Sequence, residues 1–175
     1  MEDRSAINPR DRRLLADQRD LAELARQDPR LRIEAEGHPA ERYAITIACD
    51  GLARGAAGRP VLRVGHRATI ELHRDYPRLP PVVRWTTPIL HPNILPPRRH
   101  GGVCLGPWSA GESLADVVRR LVRLAAWDDF NLDDPLDHEA AAWARAAGAR
   151  PGDDLAALVA LAVAVPTADA VALAV

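Results

Sequence analysis

The stretch HPNILPPRRHGGVCLGPW, residues 91–108, sets Cys104 among glycines and downstream of a His-Pro-Asn tripeptide. A thiolate is the best side-chain nucleophile near neutral pH. An acyl group carried on its sulfur stays reactive toward amines, whereas an ester on serine is a poorer donor. A lone cysteine is more often a small buried apolar group, but the neighbours of Cys104 point elsewhere. Gly101 and Gly102 leave room for a visiting extended backbone, and Pro92, Pro96, Pro97 and Pro107 stiffen an irregular segment. Cys49 ends an "ITIAC" run of strand character and reads as packing. The chemistry to expect at Cys104 is therefore acyl transfer through a thioester.

Composition narrows the setting. A formal net charge of −1 argues against a nucleic-acid partner held by bulk electrostatics. Two cysteines, with no Cys-x-x-Cys pair, suit neither a secreted disulfide framework nor a zinc site, so a reducing, cytoplasmic setting with no metal and no cofactor is expected. The opening MEDRSAINPRDRR lacks the apolar core of a signal peptide. The longest apolar run, 11 residues from Leu155 to Val165, is well short of the roughly 20 that span a bilayer, so no membrane partner is expected.

The elements that must position Cys104 follow from capping and periodicity. Asn8 then Pro9 starts a helix expected to reach Gln27, with Leu14, Leu15, Leu21, Leu24 and Ala25 on one side and Arg12, Arg13, Arg19 and Asp20 in water. LRIEAEG, RYAITIACDG, HRATIELHRDYP and PVVRWTTP read as four successive antiparallel strands separated by glycine and proline. Ser113 with Asp116 forms a capping box, and Leu114, Val117, Val118, Leu121, Val122 and Ala125 repeat at helical spacing. NLDDPLD breaks the pattern, HEAAAWARAAGA resumes helix, and Gly148 stops it. Strands followed by helices imply an α+β domain over residues 1–149 with a helix packed on one face of the sheet. Residues 150–175 form an apolar tail, expected to be helical and to pack on the domain or a partner.

This order and four motifs together resemble the ubiquitin-conjugating enzymes, over roughly Asn8 to Gly148. DYPRLPP is similar to the family's Tyr-Pro-x-x-Pro-Pro loop at Tyr76 to Pro81, and RWTTPILHPNI to its fourth strand running into His91-Pro92-Asn93. GGVCLGPWS is similar to its Gly-x-x-Cys-Leu segment with Trp-Ser. NLDDPLDHEA is similar to its run between later helices, from Asn131 to Glu139.

The resemblance implies that Cys104 takes a ubiquitin-like modifier from an activating enzyme and passes it to an amine of a protein substrate. It implies that Asn93 donates to the tetrahedral oxyanion, that loss of such a donor costs about 10²–10³ in rate, and that His91 is a structural ring. Only about one free lysine in a thousand is neutral at pH 7.4. Asp134 would accept a hydrogen bond from that amine and receive its proton, with Asp133 and Asn131 supporting the lip. Arg10, Arg12, Arg13 and Arg19 on the first helix would meet the activating enzyme.

The departures from the family pattern carry information too. The Asn93-to-Cys104 spacing is a few residues longer than usual and includes PPRRH, whose arginines could form a basic lip. Arg78 stands where the family commonly has an aromatic residue, and Ala110-Gly111 where it commonly has Pro-Ala. Those positions usually dock RING-type ligases, so no such ligase is expected, a pattern that fits compact bacterial conjugation systems resembling antiphage modules. Two other readings remain open: a non-catalytic scaffold of the same fold, and a cysteine hydrolase pairing Cys104 with His91 or His100.

All 23 basic residues are arginine. Codon bias in a GC-rich genome explains this, and so does chemistry, because an activated acyl group beside an enzyme's own lysine reacts at very high effective molarity. If the chemistry matters, Arg98→Lys or Arg99→Lys, loaded at Cys104, will yield a self-linked product that resists reductant on a gel. Codon bias alone predicts none.

Overall fold

The computed structural model describes residues 8–164. Helix α1 (Pro9–Gln27) leads into strands β1 (Leu31–Gly37), β2 (Ala40–Arg54), β3 (Pro60–Glu71) and β4 (Val82–Trp85). An irregular segment that carries Cys104 follows, then α2 (Leu114–Ala125), α3 (His138–Ala146) and α4 (Leu155–Ala164). The four strands form one antiparallel sheet in chain order, giving the expected α+β architecture. Residues 165–175, the rest of the apolar tail, lie outside the described residues.

Local chemistry sets the helix boundaries. The Asn8 side chain accepts from the Asp11 N–H, and Pro9 fills a first-turn position that needs no donor. In α2 the Ser113 and Asp116 side chains cap each other's backbone. The apolar stripe of α2 presses Leu114, Val117, Val118 and Leu121, all fully buried, against Ile45, Ile47, Ile70 and Trp85 of the sheet. A second cluster gathers Leu52, Leu90 and Trp127 with Ala140 and Ala144 of α3 and Leu155 and Leu158 of α4.

The β2–β3 hairpin is longer than its sequence suggests. Expected from residue 42 to 51 and from 66 onward, these strands run to Arg54 and start at Pro60, beyond an irregularity between Ile47 and Asp50 that shifts the register. Cys49 sits in this irregularity, where burial pushes its thiol up to about 11. Gly51 follows because nothing larger fits: a Cβ there would lie 2.4 Å from His66 Nε2 and 2.5 Å from the Ala125 carbonyl. Close packing thus requires glycine at position 51, whereas Gly65 of β3 has open space around it and a left-handed φ of 82°.

The stripe of α1 also holds a surprise. Asp17 falls between Leu14 and Leu21 and is 1% exposed. Its Oδ2 accepts from Arg13 Nε at 2.7 Å and from the Tyr76 hydroxyl at 2.7 Å, while Oδ1 accepts from the Leu114 N–H at 3.2 Å. Arg13 further donates to Tyr76 Oη (2.9 Å), the Ala110 carbonyl (2.6 Å) and the Glu112 carbonyl. Arg13, expected in water, is therefore turned inward: the carboxylate one turn away and the carbonyls ahead of α2 offer it more than solvent does. Removing one partner of such a pair leaves the other charge uncompensated. Asp17→Ala should lower the free energy of unfolding by about 3–5 kcal/mol in urea titrations, and Tyr76→Phe, which removes one hydrogen bond, by about 1 kcal/mol.

Candidate active site

The segment between β4 and α2 is held as an extra hairpin beside the sheet. Gly102 bridges to Arg84 of β4, and the Gly101 carbonyl accepts from the Trp85 N–H at 2.7 Å. On the other side Leu95 N–H donates to the Gly102 carbonyl (2.8 Å), Ile94 bridges to Val103, and Cys104 N–H donates to the Asn93 carbonyl (2.9 Å). Asn93 and Cys104 are therefore paired across the base of a hairpin, and the additional residues of PPRRH form its tip. Pro97–Arg99 makes a short 3-10 turn there. His100 and Gly101 take left-handed backbone, with φ of 57° and 63°. At Gly101 a Cβ would also come within 2.1 Å of the Trp85 carbonyl, so close approach to the sheet requires glycine. The longer spacing leaves the pairing of positions 93 and 104 intact because the extra residues are outside the ladder.

The His-Pro-Asn turn then clamps the acidic loop ahead of α3. Asn93 is 3% exposed. Its Oδ1 accepts from the Asn131 N–H at 2.7 Å and its Nδ2 donates to the Asn131 carbonyl at 3.0 Å. The Pro92 carbonyl accepts from both Leu136 N–H (2.8 Å) and Asp137 N–H (2.9 Å). Asp133 and Asp134, both exposed, lie between these two attachments. The Asn131 side chain accepts from the Asp133 N–H at 2.8 Å and shapes the turn, while Arg145 of α3 donates to the Leu132 carbonyl. At the far end Asp137 caps α3 through Ala140 N–H and holds Arg54 through both carboxylate oxygens at 2.9 Å.

His91 is wholly buried. Its Nδ1 accepts from the Asn93 N–H at 3.1 Å, so Nε2 carries the proton and faces the Asp129 carbonyl at 3.2 Å. Burial pushes its pKa down to about 3. Both nitrogens are occupied and the ring is packed edge-on against Trp127. His91 holds the turn and has no free nitrogen to offer a substrate.

Cys104 itself is partly exposed, as are Gly102, Val103 and Leu105 around it. Arg120 of α2 fixes the outgoing chain by donating to the Leu105 carbonyl, and Trp108 Nε1 donates to the Pro77 carbonyl at 2.8 Å. A family model described as ubiquitin-conjugating enzyme matches residues 20–150. The chain belongs to the ubiquitin-conjugating enzyme family. Its members in general meet a ubiquitin-like modifier, an activating enzyme and substrates, and are typically transferases.

In this family member the structure brings Cys104, Asn93, His91, Asn131 and the Asp133–Asp134 loop into one hydrogen-bonded neighbourhood. The α1 arginines divide. Arg13 is engaged with Asp17, and Arg10 reaches Glu41 (2.6 Å) and the His73 carbonyl (3.2 Å). Arg12 and Arg19 are exposed. Residues that the sequence did not single out also matter here. Asp17 was detectable as an acid on an apolar stripe four residues after an arginine, whereas Arg54 and Arg120 gave no local signal. Among the described residues no cluster of His, Cys, Asp or Glu could hold a metal ion, and no helix is long and apolar enough to cross a membrane.

Two buried rings make stability depend on pH. Burial lowers His66 to about 4 and His91 to about 3, below the value of 6.5 that each regains on unfolding. The unfolded chain therefore binds more protons between these limits, and stability present above pH 6.5 is lost as pH falls through that window. Moving from about pH 7.5 to about pH 5 should cost roughly 2 kcal/mol per ring in urea titrations. His66→Leu should remove about half of that change.

Proposed function

We propose that Cys104 accepts the C-terminal carboxyl of a ubiquitin-like modifier as a thioester from the activating enzyme and transfers it to a lysine amine of a protein substrate. In the first step the Cys104 thiolate attacks the activating enzyme's thioester carbonyl and displaces that enzyme's thiolate. In the second, the amine attacks the new thioester, a tetrahedral oxyanion forms, the carbon–sulfur bond breaks, and Cys104 leaves as thiolate while nitrogen gives up its proton. Asn93 has a second amide N–H beyond the one donated to Asn131, and that N–H is the donor for the oxyanion. Asp134, with Asp133 beside it, accepts from the incoming amine and takes its proton. Arg12 and Arg19 of α1 meet the activating enzyme.

One observation carries the reading. The Cys104 amide pairs with the carbonyl of the residue whose side chain holds the acidic lip, so nucleophile, amide donor and proton acceptor share one frame. Family membership supports the transferase class. Arg78 and Ala110-Gly111 support action without a RING-type ligase, and the arginine-only composition fits a bacterial conjugation system.

Incubation with activating enzyme, modifier and ATP, followed by a gel without reductant, tests this. The wild type should give a reductant-sensitive adduct, absent in Cys104→Ala. Asn93→Ala should still load but discharge to free lysine about 10²–10³-fold more slowly. If loading fails as well, Asn93 is a brace only. No adduct with a working activating enzyme favours the scaffold, and cleavage of finished conjugates favours the hydrolase.

A further inference from the structure

The hairpin tip opposite Cys104 makes a groove of about 400 Å³ with the end of the sheet. Its walls are Pro88, Ile89, Pro96 and Pro97, and its polar groups come from Arg54, Thr86 and Arg98. Arg98 and Arg99 are exposed at its edge. Arg54 pairs with Asp137 and Glu139, but among the described residues Arg98 and Arg99 make no ion pair. Asp137 feels the charge of Arg99, yet it is buried and bonded to Arg54 through both oxygens, so it cannot turn outward to neutralise it. The groove therefore combines apolar walls with two exposed cations at its edge, Arg98 and Arg99.

The opposite end of the site has the opposite sign. Asp133 and Asp134 are tied to the hairpin base, where Asn93 pairs with Cys104, and the arginines are at its tip. Extended chain rises about 3.3 Å per residue, so the tip is roughly three to four residues of peptide from Cys104. A target segment with a lysine at one end and acids at the other matches this dipole in one direction only. The acidic lip attracts the lysine and would repel its neighbouring carboxylates.

We infer that the Arg98–Arg99 tip and its groove bind an acidic stretch of the substrate three to four residues from the acceptor lysine, and so select and orient it. This rests on the transfer reading above and names the substrate class for that site.

The test uses the full chain and two fluorescein-labelled peptides, each with one lysine, carrying either Asp-Asp or Asn-Asn three and four residues away. Binding is read by anisotropy, and discharge of the Cys104 thioester by gel. Wild type should favour the acidic peptide about five- to tenfold in both, the worth of two exposed ion pairs, and less in high salt. In Arg98→Ala/Arg99→Ala the ratio should fall to about one. Equal handling by wild type overturns the proposal, as does a preference that survives the double substitution. So does an oligonucleotide of matching charge that displaces the acidic peptide and binds more tightly. Should no thioester form, the transfer reading fails, and anisotropy alone decides whether the basic tip recognises acids.

Discussion

Everything at this site depends on how the Pro92-Asn93 turn satisfies the backbone groups of a loop that has no regular structure. The acidic loop before α3 has amides and carbonyls to pair and no sheet or helix to pair them. Pro92 takes two of its N–H groups on a single carbonyl, and the Asn93 carboxamide takes an N–H and a carbonyl from Asn131. An amide side chain is suited to this because it presents a donor and an acceptor side by side, as a peptide group does. The same residue's main-chain carbonyl receives the Cys104 N–H. One residue thereby ties the Cys104 strand to the acidic loop, and movement of either would break these part-buried hydrogen bonds.

Burial divides the ionisable groups into two classes. His91, His66 and Cys49 sit where their charged forms are disfavoured, so they are inert as acids, bases or nucleophiles near neutral pH. Cys104, Asp133, Asp134, Arg98 and Arg99 remain in contact with solvent, where a protein-sized partner can reach them. Both cysteines are partly exposed, and their settings separate them: Cys49 sits in the irregularity of β2, whereas the Cys104 N–H pairs with the Asn93 carbonyl at the hairpin base. Burial also separates the arginines of α1: Arg13 joins Asp17 and Tyr76 inside the molecule and links α1 to the start of α2, while Arg12 and Arg19 face outward.

Much of the frame was legible along the chain. The Asn8-Pro9 start, the Ser113–Asp116 box and the spacing of Leu114 to Ala125 placed α1 and α2, because caps and helical stripes are short-range properties. The order of elements and the four motifs pointed to the family and singled out Cys104, Asn93 and the Asp133–Asp134 loop. The ends of β2 and β3 were obscured because glycine lowers strand propensity, at Gly51, fixed by contacts with His66 and Ala125, and at Gly65, which takes left-handed backbone. The inward turn of Arg13 was hidden because its partners, Tyr76, Ala110 and Glu112, are far away in the chain.

The sequence by itself determined the helices, the meander of four strands, the setting of Cys104 among glycines and prolines, and arginine as the chain's one basic residue type besides histidine. Each of these depends on residue type or on neighbours within a few positions. Only the tertiary structure decided which carbonyl meets the Cys104 amide, that the additional residues after Asn93 loop out without disturbing that pairing, and that Asn93 grips Asn131. Those are contacts between segments about ten to forty residues apart, and their geometry exists only after the sheet and α2 have packed and excluded water from between them.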